Sequence, residues 1–371
     1  MGRSFVLEMV VSGDLVLDEP DAGHWLSGIA PALQRADVAV GHLEVPHTRG
    51  GVELAGDVPA PGAPPENLSA LAEAGFDMLS LGGNHIADCG AEGIEDTISG
   101  LDSLGIVHTG AGRNLAAARR PARIEAGGRR IALLSYNCVG PEAGWAAEDR
   151  AGSAYLRVLS ADGSPTAPAT PLQSVAPEAF EVLRADIEDA RKMADIVLVA
   201  LHKGIVHTPA VLADYERPLA HAAIEAGADL VVGHHSHILR GVETVNGVPI
   251  FHGLGNFVTV TRALSLDNDH PARREWARKR RELFGFTPDP DYPTYPFHPE
   301  AKHAMIADCR IDESGKVSAG FRPCFITPSG APELLGPDAR GQALLEYVAG
   351  ISRAAGRRTE FAWDGERVVF Q

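Results

Sequence analysis

The segment DLVVGHHSHIL, residues 229–239, sets His234, His235 and His237 directly behind an aliphatic run. Other polar side chains recur in comparable settings: Asp14 after VVSG, Glu44 after VAVGHL, Asn84 and His85 after LSLGG, and His202 after IVLVAL. An H-x-H pair on an extended segment can bring two imidazoles to one point, but a metal needs further ligands from elsewhere in the chain. Asp14, Glu44, Asn84 and His202 could supply them, with His235 and His237 as the pair and His234 in a supporting role. Carboxylate and amide oxygens mixed with imidazoles suit manganese, iron or zinc. The set contains no thiolate, which argues against a closed structural zinc site. Asp88 follows His85 by three residues and could orient that imidazole.

The elements that must position these residues are legible as an alternation. FVLEMVV, DVAVGHLE, FDMLSLGGNH, RRIALLSYN, DIVLVALHKG and DLVV have the short apolar runs of strands, and between them WLSGIAPALQRA, ENLSALAEAG, GIEDTISGLDSLG, PEAFEVLRADIEDARKMA and YERPLAHAAIEAG have helical spacing. Strands alternating with helices predict a layered α/β fold. In a mainly parallel sheet the C-terminal strand ends share one edge, so residues far apart in sequence converge there. The strand at 229–232 is expected to stop at Gly233, letting the backbone turn and free the histidines. Asn246-Gly247 between β-rich runs predicts a hairpin that adds antiparallel strands.

Residues 141–177, rich in Ala, Gly, Ser and Pro, read as a long irregular excursion. A second insertion spans 262–300, where PARREWARKRREL clusters Arg273, Arg274, Arg278, Lys279, Arg280 and Arg281 ahead of the aromatic FTPDPDYPTYPFHP. Long loops of this kind serve as lids or binding segments. Arg273, Arg274 and Arg278 are therefore candidate contacts for an anionic substrate, with Tyr292, Tyr295 and Phe297 closing the pocket. The remainder of the chain is expected to pack on the same core.

The chain of 371 residues is long enough for a substantial core. Its formal net charge of -16 argues against a nucleic-acid partner. Cys89, Cys138, Cys309 and Cys324 lie far apart, so neither a zinc ribbon nor a disulfide framework is indicated. The first apolar run is interrupted by Glu8, and no segment approaches ~20 consecutive apolar residues. The expectation is a soluble cytoplasmic protein with no membrane partner; the sequence leaves its oligomeric state open.

SGD at 12–14, HLE at 42–44, GGNHIADCG at 82–90, LHKG at 201–204, GHHSH at 233–237 and HGLGNF at 252–257 resemble, in this order, the motifs of the CapA/PgsA family of capsule and poly-γ-glutamate synthesis proteins. That family is similar in fold to calcineurin-like metallophosphoesterases. The resemblance implies a four-layer αββα sandwich, here one domain over 1–371 with insertions at about 141–177 and 262–300, and a dinuclear centre of divalent metal ions. It further implies that Asp14 and His237 bind the first metal, that Glu44 bridges, that Asn84, His202 and His235 bind the second, and that His85 protonates the leaving group. Departures from the pattern are that the phosphoesterase D-x-H is here Asp14-Leu15-Val16, that His42 stands where the family commonly has asparagine, and that HKGIVH replaces a more usual tryptophan- and glutamate-bearing stretch, which makes His207 a candidate substrate contact; His252, in the HGLGNF motif, is another. The expected activity is metal-dependent hydrolysis of a phosphoester or amide-type bond in a small-molecule or acidic oligomeric substrate. The alternatives are a non-hydrolytic role in polymer synthesis or binding, and a transferase or dehydratase reaction in small-molecule biosynthesis.

Overall fold

The computed structural model describes residues 5–54, 62–168, 170–266 and 269–370. Two sheets pack face to face. The first has the order Phe361–Asp364, Arg367–Phe370, Val317–Ile326, His303–Asp312, Phe5–Leu17, Val38–Leu43, Met78–Ser80, Val107–Thr109, with Asn256–Val260 also pairing with Phe5–Leu17. The second runs Val242–Val245, Val248–Phe251, Leu230–His234, Ile196–His202, Arg129–Asn137, Ala122–Ala126.

The period-2 alternation of side chains explains why both faces of these strands are apolar. In Phe5–Leu17, Leu7, Met9 and Val11 point between the sheets, while Val10, Leu15 and Leu17 point outward. Ile196, Leu198 and Ala200 face the same interior from the second sheet, and Val197, Val199 and Leu201 face its outer layer. Helices Leu68–Ala74 and Gly90–Ser103 cover the outside of the first sheet. Pro177–Arg191 and Glu216–Glu225 cover the second, the former burying Ala179, Leu183, Ile187 and Ala190 at helical spacing. These are the four layers αββα. The C-terminal strands extend the first sheet, and helix Ala339–Ala354 seats Leu344, Leu345, Val348 and Ile351 in the core between the sheets.

The Asn246-Gly247 turn forms as expected, with φ of 53° and 80° and Val245 opposite Val248. Its second strand is antiparallel to the first but parallel to Leu230–His234, so the hairpin also continues the parallel sheet. The 141–177 segment is less irregular than its composition implies: Val158–Ser160 pairs with Leu172–Val175. The insertion at 262–300 contains a helix, Pro271–Phe284.

Candidate metal centre

The polar residues meet at the C-terminal ends of strands from both sheets. Asp14 lies inside its strand rather than beyond it, at a register shift where the strand pairs with Asn256 on one side and His42 on the other. Such an irregularity re-aims a side chain. Asp14, Glu44 and His237 each offer a ligand atom within 4.8 Å of the others. His237 Nε2 lies 3.3 Å from Glu44 Oε1, and its Nδ1 lies 3.5 Å from Asp14 Oδ2 and 2.9 Å from Asn256 Oδ1. Asn256 in turn donates to Tyr295 Oη, which donates to the Ala301 carbonyl. This chain of bonds from the second insertion fixes the His237 ring.

On the other side, His202 is the last residue of its strand, and its Nε2 is 2.6 Å from Asn84 Oδ1. The His235 ring lies 4.9 Å from that of His202 and 6.4 Å from that of His237, joining the two groups. The loop carrying Asn84 reaches the second sheet because Gly82 lies against it; a Cβ there would sit 2.8 Å from the Tyr136 nitrogen.

Gly233 does something other than expected. Its strand continues through His234, and a Cβ at Gly233 would meet the His252 carbonyl oxygen at 2.1 Å, so the glycine permits close packing of backbone. The turn is made instead by His235 and His237, whose φ angles of 82° and 53° are left-handed. Non-glycine residues rarely adopt this conformation, and it is enriched at functional sites.

The atoms present fit a cation. Both ring nitrogens of His235, Nδ1 of His202 and Oδ2 of Asp14 have no hydrogen-bond partner among the described residues, although all three side chains are buried. Buried polar atoms are nearly always paired. Burial raises the Asp14 carboxyl above its usual range, opposed by His237 and His42, and burial pushes the His202 and His235 imidazoles well down. Neutral imidazoles beside carboxylates are a donor set for a divalent metal ion.

His85 sits at the edge of this cluster with its side chain 15% exposed, and its Nδ1 is 2.7 Å from Asp88 Oδ2. His234 bonds Asp14 Oδ1 through Nδ1 at 2.9 Å, and His42 stacks on His234 with ring centroids 4.4 Å apart. Burial pushes each of these two imidazoles down to about 3, so both are neutral supports.

The candidate substrate contacts separate in the structure. His207, also left-handed at φ 55°, stacks near His237 at 5.9 Å and meets Phe286 edge-on. His252 is fully buried, with Nε2 2.8 Å from Glu243 Oε1, and so braces the hairpin. Arg278 has its side chain 66% exposed and lies 3.7 Å from Glu275 on its own helix. Arg274 donates to the Asp269 carbonyl, and Arg273 lies 3.8 Å from Glu53. The buried arginine of this helix is Arg280. Helical spacing could have found it: Arg273, Trp276, Ala277, Arg280 and Phe284 share one face, at i, i+3, i+4, i+7 and i+11. Of the three aromatic residues, Phe297 comes nearest the centre, 5.1 Å from the His237 ring.

A family model described as bacterial capsule synthesis protein PGA_cap matches residues 9–261. The PGA biosynthesis protein CapA of Bacillus subtilis (strain 168) is 34% identical over 194 residues, 52% of this chain and 45% of that protein. The capsule biosynthesis protein CapA of Bacillus anthracis is 28% identical over 234 residues, 62% of this chain and 52% of that one. The chain thus spans about half the length of these curated relatives. Among solved structures, the calcineurin-like phosphoesterase YfkN from Bacillus subtilis is 11% identical with a TM-score of 0.40, covering 95% of this chain and 99% of that one. The family match takes in Asp14, Glu44, Asn84, His85, Asp88, His202, His235 and His237, and it stops short of the helix at 271–284. The chain belongs to the PGA_cap family of bacterial capsule synthesis proteins, the CapA-like group that its ordered motifs resemble.

Proposed function

We propose that the protein is a metal-dependent hydrolase acting on a phosphoester or amide-type bond of a small-molecule or acidic oligomeric substrate. The observation that carries this reading is the convergence of Asp14, Glu44 and His237 with Asn84, His202 and His235 at one edge, where Oδ2 of Asp14, Nδ1 of His202 and both ring nitrogens of His235 are buried without a hydrogen-bond partner among the described residues. Asp14, Glu44 and His237 would hold one divalent cation, and Asn84, His202 and His235 a second that shares Glu44. Manganese, iron or zinc held there would supply Lewis acidity, lowering the pKa of a water and polarising the bond attacked. His85 then holds the proton for the leaving group. With its Nδ1–H donating to Asp88, the opposite ring nitrogen is the atom turned away from that carboxylate and toward exchange with a substrate. His234 and Asn256 keep Asp14 and His237 in place through the bonds described above.

Metal analysis of the purified protein, joined to an activity screen against phosphoesters and γ-glutamyl amides, tests site and reaction together. Bound metal with turnover of either class supports the proposal. A protein that takes up no divalent metal refutes it.

A second reading has a specific support in the names of the relatives. Proteins named for PGA and capsule biosynthesis are 34% and 28% identical to this chain over the matched residues, so the centre could bind or modify an acidic polymer without hydrolysing it. Metal-dependent binding of a γ-glutamyl oligomer without turnover would favour this reading. Among the described residues no helix is long and apolar enough to cross a membrane.

A further inference from the structure

We propose that Arg280 binds an oxyanion of the substrate, carboxylate or phosphoryl, beside the metal centre. The inference rests on the reading of that centre as a substrate site. Arg280 is 2% exposed, and its Nε and Nη1 have no hydrogen-bond partner among the described residues. No ion pair among those residues includes it, whereas Arg273, Arg278 and Lys279 of the same helix all face carboxylates. A buried guanidinium without acceptors is costly, because burial strips the water from a charge that nothing replaces.

Its surroundings say where the missing acceptor would be. The guanidinium lies 5.3 Å from the centre of the Phe286 ring and 5.8 Å from that of Phe297. Phe297 touches His237, and Phe286 touches His207, which stacks in turn near His237. Arg280 therefore stands one aromatic ring away from a candidate metal ligand. Contact with ring faces offsets part of the desolvation and leaves the in-plane N–H groups to an external partner. Burial lowers this guanidinium to about 10, so it stays charged at neutral pH. A planar fork of donors beside a cation centre suits a carboxylate or phosphoryl group that the metal side also approaches.

The test is isothermal titration of inorganic phosphate and, separately, of glutarate into the full chain, both chelator-treated and manganese-loaded. Arg280→Met should bind the preferred probe at least ~10-fold more weakly than wild type in the chelator-treated protein, the loss expected of one charge-assisted bond. Arg280→Lys, keeping the charge without the fork, should fall between them, and manganese stoichiometry should be unchanged in both variants. The Met variant should also melt about 2 °C or more above wild type in the absence of anion, since it removes an unpaired buried charge. A structural role predicts the opposite shift. Preference for phosphate or for glutarate identifies which oxyanion the site takes. Equal affinities for Arg280→Met and wild type would overturn the proposal, as would a wild type that binds neither probe. If the metal reading alone fails, wild type takes up no manganese while anion binding by the chelator-treated protein still depends on Arg280.

Discussion

Asp18, which follows the strand that carries Asp14, gives a pH dependence that can be worked from the structure. Its carboxylate accepts a 2.6 Å hydrogen bond from Thr261 Oγ1, while neighbouring Glu19 accepts from the Arg262 amide, so the pair anchors the start of the second insertion. Burial raises the Asp18 carboxyl from 3.8 to about 6, against the pull of the Thr261 hydroxyl and Arg273. An acid whose native pKa lies above its unfolded value binds more protons when folded, so stability falls as pH rises through that window. The loss begins near the unfolded value, is complete above about 6, and amounts to about 3 kcal/mol at 1.36 kcal/mol per pKa unit. Asp18→Asn keeps an acceptor for Thr261 and cannot ionise. Its stability relative to wild type should therefore rise by about 2 kcal/mol between about pH 4.5 and about pH 7.5. Urea unfolding of both proteins at the two pH values measures this difference. A gap that stays constant within about 0.5 kcal/mol would show that Asp18 is ionised at no cost in the native state and would refute the reasoning.

Further outcomes follow from the centre and its supports. Elemental analysis of His202→Ala and His235→Ala should show metal content sharply reduced, because each removes a donor atom; full stoichiometry in both would remove them from the ligand set. His85→Asn should retain metal yet slow turnover by ~10²–10⁴-fold, most for substrates with poor leaving groups; an unaltered rate on such a substrate would end the proton-donor assignment. Beneath His202, Lys203 Nζ lies 2.8 Å from Glu216 Oε2 with both side chains buried, and Arg240 is 3.9 Å from the same carboxylate. Glu216→Gln strands two buried cations and should lower unfolding stability by about 3–5 kcal/mol, against less than about 0.5 kcal/mol for the exposed Glu225→Gln of the same helix. Equal effects of the two would show the buried pair to be dispensable.

The layers could be read in advance because the strands are buried on both faces and the helices on one. Runs such as IVLVAL and the spacing of Ala179, Leu183, Ile187 and Ala190 report burial directly. Candidate ligands were visible for a related reason: a polar residue at the end of such a run stands out, as Glu44 and His202 do. Membership of one sheet or the other was hidden, since Val38–Leu43 and Ile196–His202 have the same local pattern and differ only in distant partners. The backbone at His235 was hidden too, because a left-handed histidine is imposed by surrounding structure and not by local preference. His252 and Arg280 show the limit most plainly. Each is polar in sequence and buried in the fold, and only packing reveals that one bonds Glu243 while the other bonds nothing described.

The two sheets contribute unequal, complementary shares of the centre: Asp14, Glu44 and Asn84 come from strands and loops of the first, His202 and His235 from the second. Asp14 is separated from His235 by most of the matched span. Ligands so far apart in sequence come together only once the two sheets have closed, unlike those of a small zinc module, which are close in sequence. A cation held there would act as a rivet across the seam, stabilising the native state by RT ln(1 + [L]/Kd), so the unfolding temperature would depend on free metal concentration.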